Sequence, residues 1–360
     1  MRALVTGGIG FIGSNLANRL LREGYDVLLF DNGHRPGVQH NLEWLRAQHG
    51  DRVRLVEGDI CDFGAVERAL EGVEVIFHLA AQVAVTTSLL DPRKDFSINA
   101  LGTLHVLEAA RQMRPMPIVL FTSTNKVYGG IHHLRVVERE TRYEFENLCH
   151  GIPETCPLDF HSPYGCSKGA ADQYVRDYYR IYGLPTVVLR MSCIYGPRQF
   201  GNEDQGWVAH FALTGLRGGH LTIYGDGKQV RDVLYVDDLI ELMIRSVHRI
   251  DRTAGEVYNV GGGPDNTISV WAEFQEPLRR LVGNLPSVNY DRFRPGDQRV
   301  YVSDIRKAQQ HLDWAPKVGV AEGLRRMIDQ WGSQMNPRKG RVTVGSDTFG
   351  KPIPSRRLES

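Results

Sequence analysis

The stretch VTGGIGFIGSNL, residues 5–16, decides the fold of this chain. It holds Gly7, Gly10 and Gly13 in a G-x-x-G-x-x-G spacing, between a short apolar strand and an amphipathic helix that ends at Gly24. Glycines in such a turn let the backbone fold tightly and approach a pyrophosphate, and they let the helix pack closely on the strand. The pattern therefore predicts a dinucleotide-binding βαβ unit rather than a glycine turn without a ligand.

An acidic residue follows at the end of the next apolar strand. Asp31 lies in the run LLFDNG, where a carboxylate can accept hydrogen bonds from the hydroxyls of an adenosine ribose. Its negative charge disfavours a 2′-phosphate, so NAD is the expected cofactor rather than NADP. Asp59 and the run FHLAAQ, residues 77–82, come at later strand ends, where adenine and the nicotinamide ribose are expected.

Short apolar runs alternate with helical stretches over roughly the first half of the chain. This rhythm indicates parallel βαβ units, and hence an α/β fold with a doubly wound parallel (Rossmann) sheet. Beyond Arg190 the alternation becomes irregular and rich in Gly and Pro, which predicts a smaller mixed C-terminal substrate lobe. The expected dinucleotide domain is 1–189, and segment 233–260 is expected to return to it through the apolar runs 233–236 and 257–260. The expected smaller lobe consists of 190–232 and 261–335, and a loose tail is expected at 336–360.

Composition excludes several classes of protein. Lysine and arginine number 43 against 42 acidic residues, and both signs are interspersed, so no nucleic acid or anionic membrane is expected as a partner. No apolar run is long enough to cross a bilayer, and the first residues already form a strand rather than a signal peptide. The five cysteines include no C-x-x-C pair, which suits a reducing cytoplasm, and their spacing to histidines fits no zinc pattern, so no metal is expected.

A second chemical motif is YGCSK, residues 164–168. A tyrosine and a lysine four residues apart on a helix share one face. The ammonium of Lys168, with the charge of an oxidised nicotinamide, is expected to lower the pKa of Tyr164 and make it a general base toward a substrate alcohol. Such a pair is common on exposed helices, but here it follows a dinucleotide fold and the strand-end hydroxyls of Ser123 and Thr124.

Together these motifs resemble the extended short-chain dehydrogenase/reductases that act on nucleotide sugars, over residues 1–333. The runs DFHSPYGCSKGAADQY and RPGDQRVYVSDI, with the insertion at 130–159, are similar to the branch of CDP-tyvelose (CDP-paratose) 2-epimerases. The resemblance implies epimerisation at C2 of a CDP-linked hexose through a 2-keto sugar, with tightly bound NAD that takes a hydride and returns it to the opposite face. It also implies a homodimer or homotetramer.

The resemblance further implies roles for individual residues. Thr124 is expected to bond the reacting oxygen, with Tyr164 as base and Lys168 as its electrostatic support. Arginines offer phosphate two parallel hydrogen bonds, which suits a diphosphate anchor. Arg231 and Arg294 are expected at the diphosphate, and Asp297 at the ribose. The other expected substrate contacts are Thr86, Thr124, Ser192 and Gln199. The expected NAD contacts are Gly7, Gly10, Phe11, Ile12, Gly13, Asp31, Asn32, Asp59, Ile60, Leu79, Ala80, Ala81, Gln82, Asn99, Thr122, Tyr164, Lys168 and Met191.

Asn125 and Lys126 separate this chain from one branch of the family. Related sugar 4,6-dehydratases typically carry Asp and Glu at these positions, as the acid and base of water elimination, whereas no carboxylate is available here. Lys126 itself is interpreted either as a substrate contact or as a solvated turn residue, with the turn favoured. Thr86 is interpreted either as a pocket residue or as a helix cap.

Two other functions stay open, a UDP-sugar 4-epimerase and a non-catalytic NAD-binding regulator. The complete set of Thr124, Tyr164 and Lys168 favours an enzyme, since a regulator needs no acid–base group. The run Met191-Ser192-Cys193, which stands where many relatives use an Asn on the substrate, favours the 2-epimerase. The 130–159 insertion favours it too, and is expected to be a loop that closes over the sugar.

Overall fold

The computed structural model describes residues 1–294 and 297–335, with side chains described as far as Trp331. The predicted tail at 336–360 lies outside the described residues. In chain order the strands are β1 (Arg2–Thr6), β2 (Asp26–Asp31), β3 (Arg54–Glu57), β4 (Val75–His78), β5 (Ile118–Thr124), β6 (Val136–Glu138), β7 (Tyr143–Phe145), β8 (Thr186–Met191), β9 (Cys193–Tyr195), β10 (His220–Tyr224), β11 (Val230–Tyr235), β12 (Val257–Val260), β13 (Thr267–Ser269), β14 (Ser287–Asp291) and β15 (Val300–Tyr301).

Helices lie between most of these strands, and a π-helical turn at Ser97–Leu101 joins α5 to α6. In chain order they are α1 (Phe11–Arg22), α2 (Val38–His49), α3 (Phe63–Ala69), α4 (Val85–Leu90), α5 (Pro92–Phe96), α6 (Gly102–Gln112), α7 (Ser162–Tyr182), α8 (Trp207–Arg217), α9 (Val236–His248), α10 (Ile250–Thr253), α11 (Gln275–Val282), α12 (Arg306–Leu312) and α13 (Val320–Met335).

The main sheet has seven parallel strands in the order β12-β8-β5-β4-β1-β2-β3. The chain starts in the middle at β1, builds outward through β2 and β3, and then crosses to β4 on the other side of β1. The direction of winding therefore reverses between β1 and β4, and such a switch opens a crevice beyond the carboxyl ends of those strands. The predicted doubly wound α/β fold is confirmed.

Helices cover both faces of this sheet, so its strands are buried on both sides. Along β1 the side chains alternate, since Ala3 and Val5 pack with α1, α2 and α9 whereas Leu4 packs with α3, α6 and α7. Burial on both faces explains why these strands are near-continuous apolar runs rather than alternating ones.

A smaller lobe follows β8. Its sheet pairs β11 with β13 on one side and with β9 and β15 on the other, while β10 and β14 form a separate parallel pair, and α8, α11 and α13 share its core. Of the two apolar runs expected to return to the main sheet, 257–260 forms its edge strand β12. The other prediction is wrong, because residues 233–235 belong to β11 in the smaller sheet. Both runs are fully buried, so their composition could not tell which sheet each one joins.

Two helices begin close to residues of the expected site. Helix α1 begins at Phe11, directly after Gly10 of the glycine turn. Helix α7 begins at Ser162, with Pro163 in its first turn, where a missing N–H costs nothing. Tyr164 therefore lies in the first turn of a 21-residue helix, one turn before Lys168.

The 130–159 insertion is folded against the smaller lobe. It contains the β6–β7 hairpin, and the Tyr143 N–H donates to the Lys228 carbonyl at 3.0 Å. Further along, Ile152 pairs with Ser303 in a parallel bridge, and its side chain packs with Tyr301. The described contacts thus show a brace on β11 and β15, and closure over a sugar stays a prediction.

A buried ion pair fixes α7 to the sheet. The Asp172 carboxylate is 0% exposed and accepts from the Arg190 guanidinium at 2.9 and 2.8 Å. Ser123 donates to the same carboxylate at 2.6 Å, while Arg190 also donates to the Tyr128 hydroxyl at 3.0 Å. A pair without access to water is costly to break from one side, since the remaining charge is left buried and unpaired.

The substitution Asp172→Asn should lower the free energy of unfolding by about 3–5 kcal/mol, because it leaves the Arg190 guanidinium buried without a counter-charge. Urea unfolding followed by circular dichroism measures this loss. The matched control is Asp329→Asn, whose carboxylate pairs with the exposed Arg325 at 2.7 Å and should hardly move the midpoint. Equal midpoints for the two variants would show that the buried pair does not hold α7 in place.

Candidate active site at the carboxyl edge of the parallel sheet

The glycine turn between β1 and α1 is shaped for close approach of a ligand or of other backbone. Gly7 has a φ of +69°, and a Cβ atom added there would lie 2.9 Å from the Ala80 nitrogen. A Cβ atom on Gly13 would lie only 2.2 Å from the Gly7 carbonyl oxygen. Gly10 is the N-cap residue of α1 and has no side chain to bond the first N–H groups. The first turn of α1 begins with Phe11 and Ile12 and carries no acidic residue. The N–H groups and dipole of α1 therefore suit an anionic pyrophosphate.

Polar side chains gather where β2 and β3 end. The Asp31 carboxylate accepts from the Ile9 and Gly33 N–H groups at 3.2 and 2.9 Å, and burial raises its pKa against these hydrogen bonds. Asn32 donates to Asp59 at 3.0 Å. Burial raises the pKa of Asp59, but hydrogen bonds from the Cys61 N–H and from Asn32 outweigh it and hold the pKa below its usual value. The structure thus brings Asp31, Asn32 and Asp59 together, as an adenosine ribose and base require.

The loop after β4 lies against the glycine turn. The Leu79 and Ala80 N–H groups both donate to the Thr6 hydroxyl at 3.2 Å, and the Gln82 N–H donates to the Asn99 side chain at 3.0 Å. Asn99 also donates to Asp95 and to Ser167, so both of its side-chain hydrogens are used within the protein. Asn99 therefore links α7 to the loop after β4, which includes Ala81.

Two other expected cofactor contacts have their side chains turned into packed parts of the protein. The Ile60 side chain packs against Gly102 at the start of α6, and the Ile60 carbonyl oxygen lies 2.9 Å from His105 Nδ1. The Thr122 hydroxyl donates to the His78 carbonyl at 3.2 Å, and the Thr122 carbonyl accepts from Lys168 at 2.6 Å. Thr122 therefore positions Lys168.

The expected catalytic residues meet at the end of β5. Thr124 is the last residue of β5 and pairs with Met191 in β8. Tyr164 and Lys168 lie one turn apart on α7. Tyr164 is 8% exposed, and its backbone N–H donates to the Ser88 hydroxyl at 3.2 Å, which ties α7 to α4. The Thr124 hydroxyl accepts from the Lys126 N–H at 3.2 Å.

Burial shifts the pKa values of both Tyr164 and Lys168. Burial raises the pKa of Tyr164 to about 12, and the negative Asp95 adds to this, while a hydrogen bond with Thr124 acts in the other direction. Burial also lowers the pKa of Lys168 to about 7, although Asp172 and Asp95 favour its charged form. The protein's own groups therefore leave the pKa of the phenol raised, because burial dominates. The lowering expected from Lys168 together with an oxidised nicotinamide stays a prediction.

Two of the expected sugar contacts keep a polar atom unused. Thr86 Oγ1 and Gln199 Oε1 are buried and have no hydrogen-bond partner among the described residues. Thr86 lies inside α4, which Ala84 caps, so the interpretation of Thr86 as a cap is excluded. Ser192 differs, because its hydroxyl donates to the Asp232 carboxylate and to the Asp232 carbonyl, the latter at 3.0 Å.

Lys126 is part of this site, so its interpretation as a solvated turn residue is wrong. Its ammonium lies 3.5 Å from Asp297 Oδ1, and the Arg231 guanidinium donates to the same oxygen at 2.7 Å. Burial lowers the pKa of Lys126, and Arg231 adds to this, whereas Asp297 and Cys193 favour the charged form. The sequence could not show this grouping, because the three residues belong to three distant segments.

Arg294 has different partners from Arg231, although both were expected at one diphosphate. Its guanidinium stacks on Tyr224 at 3.9 Å, donates to the Glu203 carbonyl at 3.1 Å and lies 3.7 Å from Asp204. The Asp297 carboxylate, expected at a ribose, holds Arg231 and Lys126 instead.

Within residues 1–294 and 297–335, no helix is long and apolar enough to cross a membrane. In the same ranges, no three His, Cys, Asp or Glu side chains are grouped as metal ligands.

The family model described as GDP-mannose 4,6 dehydratase matches residues 4–327. The CDP-paratose 2-epimerase of Salmonella typhi is 43% identical over 347 residues, which covers 93% of this chain and 100% of that protein. Among solved structures, the UDP-glucose 4-epimerase of Thermotoga maritima with UDP-glucose has a TM-score of 0.79 and 33% identity, covering 93% and 100% of the two chains. The Thermus thermophilus UDP-glucose 4-epimerase in complex with NAD has a TM-score of 0.76 and 34% identity, covering 92% and 99%.

The substitution Gly13→Ala should weaken NAD retention about tenfold or more, because the new methyl group would force the turn away from Gly7. The dinucleotide released on acid denaturation of the purified protein, measured by enzymatic cycling, gives the bound fraction. Gly64→Ala is the matched control, since its methyl group in the first turn of α3 meets the end of the flexible Arg68 side chain at 3.2 Å and Asp62 Oδ1 at 3.5 Å, an ordinary contact distance. A full dinucleotide content in Gly13→Ala would place the cofactor elsewhere.

Proposed function

Because this chain belongs to the GDP-mannose 4,6 dehydratase family of extended short-chain dehydrogenase/reductases, we propose that it epimerises C2 of a CDP-linked hexose with NAD as its resident cofactor. The resemblance seen in the sequence is confirmed at the level of the family. The proposed reaction is of the CDP-paratose to CDP-tyvelose type, with CDP-glucose to CDP-mannose as a related case.

One observation carries this proposal. The chain keeps the set of Thr124, Tyr164 and Lys168 but has Asn125 and Lys126, and not a carboxylate pair, directly after Thr124. Removal of a hydride and a proton from a carbinol needs the first set, whereas elimination of water needs an added acid and base. The 43% identity to a CDP-paratose 2-epimerase over its whole length supports C2 as the position and cytidine as the base.

The protein's own groups support a proton relay. NAD, when bound, supplies the acceptor and donor for the hydride and a positive charge on its oxidised ring. In the proposed mechanism, Thr124 bonds the C2 oxygen and passes its proton to Tyr164. The reverse transfer returns the proton after the sugar has turned its other face. Since burial raises the pKa of Tyr164 to about 12, the phenolate needs a nearby positive charge to form at neutral pH.

A UDP-sugar 4-epimerase is the second candidate. Its support is the similarity in fold and sequence to the two UDP-glucose 4-epimerases described above, one solved with UDP-glucose and one with NAD. A non-catalytic NAD-binding regulator is the third candidate, and the intact acid–base set argues against it.

The experiment is NMR of the purified protein with CDP-hexoses in deuterated water, without added cofactor. A gluco-to-manno change at C2 without deuterium at that carbon is the expected result, because a hydride returned from the bound cofactor carries no solvent proton. Deuterium at C2 would mean proton abstraction and would overturn the mechanism. Inversion at C4 of a UDP-hexose, with CDP-hexoses inert, would establish the second candidate.

We propose that the working form is a cytoplasmic homodimer or homotetramer. Leu90 and Phe96 on α4 and α5, and Tyr174 and Ile181 on α7, are large apolar side chains exposed on helices that pack together. A second copy of the chain would cover them. Light scattering should give a mass in solution of two or four chains, and a single-chain mass would contradict the proposal.

The substitution Tyr164→Phe should lower kcat by roughly 10²–10⁴-fold while the bound NAD is retained, since the phenol oxygen is removed and the ring remains. Tyr290→Phe, at an exposed tyrosine of β14, serves as the control and should turn over like the parent. Turnover is followed by the NMR assay, and the cofactor by its absorbance. Near-parent turnover would remove Tyr164 from the role of base.

A further inference from the structure

Lys126 and Arg231 point their charges at one carboxylate oxygen. Asp297 Oδ1 lies 2.7 Å from Arg231 Nη2 and 3.5 Å from Lys126 Nζ. Building on the proposed function, in which Arg231 is expected at the diphosphate of the nucleotide sugar, we infer that Lys126 is a second cation for that diphosphate. The two residues then form a two-cation clamp, with Asp297 as the counter-ion that holds both cations until the diphosphate binds.

The three segments that carry the clamp are each fixed by the fold. Lys126 lies in the turn that follows β5, and Arg231 lies in β11, where its guanidinium also donates to the Val230 carbonyl at 2.8 Å. Gln298, next to Asp297, donates to the Gly129 carbonyl at 2.6 Å and so ties the Asp297 segment to the turn of Lys126. The spacing of the cations is therefore set by backbone attachments rather than by flexible side chains alone.

The charge balance of the group favours an anionic ligand. Two cations around one carboxylate leave one positive charge in excess, and the two cations repel each other at this separation. The side chains are only partly shielded, with Lys126 27% exposed, Asp297 26% and Arg231 8%. The diphosphate of a nucleotide sugar carries one negative charge on each phosphate, which matches a planar arginine for two hydrogen bonds and a lysine as a point charge.

The position of Lys126 connects this clamp to the acid–base group. Its backbone N–H donates to the Thr124 hydroxyl at 3.2 Å, so the same residue touches the expected proton relay through its backbone and the Asp297–Arg231 pair through its side chain. A diphosphate held at two points keeps the nucleotide still while the sugar turns between hydride removal and hydride return. The clamp thus gives Lys126 a role in the position where dehydratases of the family carry a catalytic carboxylate.

The test is binding of CDP to the NAD-containing protein, measured by isothermal calorimetry, with UDP measured in parallel. Lys126→Met keeps the length of the side chain and removes its charge, and it should weaken CDP binding about tenfold to hundredfold. Lys126→Arg keeps the charge and should bind CDP within about threefold of the parent. The matched control is Lys228→Met, because Lys228 is also 27% exposed and paired with one carboxylate, Glu138, at 2.8 Å.

Each outcome decides the inference. Parent-like affinity of Lys126→Met for both nucleotides would overturn it, and would leave Lys126 as a contact of the sugar if kcat alone had changed. An equal loss in Lys228→Met would also overturn it, since any lost charge would then suffice. Circular dichroism and the bound NAD content report whether each variant folds. If Lys126→Met does not fold, the CDP affinity of Lys126→Arg decides: a lost affinity overturns the clamp, and a retained affinity supports it. If the parent protein turns over no CDP-hexose but CDP or UDP binding still depends on Lys126, the proposed function falls and the clamp stands.

Discussion

The buried ion pair between Asp172 and Arg190 is the interaction on which the rest of the site depends. Asp172 is four residues after Lys168 on α7, and its carboxylate also accepts from Ser123, the neighbour of Thr124. One bonded unit therefore sets the distance between the catalytic helix and the strand that carries the expected proton relay. The same network runs from Arg190 through the Tyr128 hydroxyl to Asn259, whose amide donates to the carbonyl of Ile152 in the insertion. The sheet, the helix and the brace of the smaller lobe thus share one set of buried polar groups, and buried networks of this kind specify a single arrangement only when every member is satisfied.

Sequence motifs predicted those parts of the molecule in which residues close in the chain are also close in space. The glycine turn, the strands of the first half and the Tyr164–Lys168 face all depend on residues within one βαβ unit or one helix, and the structure shows them as expected. The sheet to which 233–236 belongs was predicted wrongly, because a fully buried strand looks the same in either sheet and only its partner decides. Lys126 was misjudged for a similar reason, since Asp297 and Arg231 reach it from far along the chain. The effect of burial on the pKa of Tyr164 could not be predicted either, because helical spacing shows which charges are near and does not show how much water is removed from the phenol.

The chemistry of the site follows from how much of it is already paired within the protein. Asn99, Thr122 and Ser192 have their side-chain donors engaged by other protein groups, so these residues position the site more than they meet a ligand through their side chains. Thr86 and Gln199 instead keep a buried oxygen without a partner among the described residues, and a buried polar atom of this kind costs stability unless something bonds it. The difference divides the expected contacts into those that support the pocket and those that remain for a sugar.

The edge strand β12 has a consequence for how this chain is made. It consists of residues 257–260 and pairs with β8, yet β9, β10, β11 and α8 of the smaller lobe are encoded between the two strands. Until β12 has been synthesised, β8 is an open edge: the backbone N–H and C=O groups that face β12 have no partner, and most of its side chains are apolar. Such an edge pairs readily with other chains, and it stays open until β12 has left the exit tunnel. The nascent protein therefore passes through a stage at which its largest sheet is nearly complete but not closed, and at which a chaperone would find its clearest target.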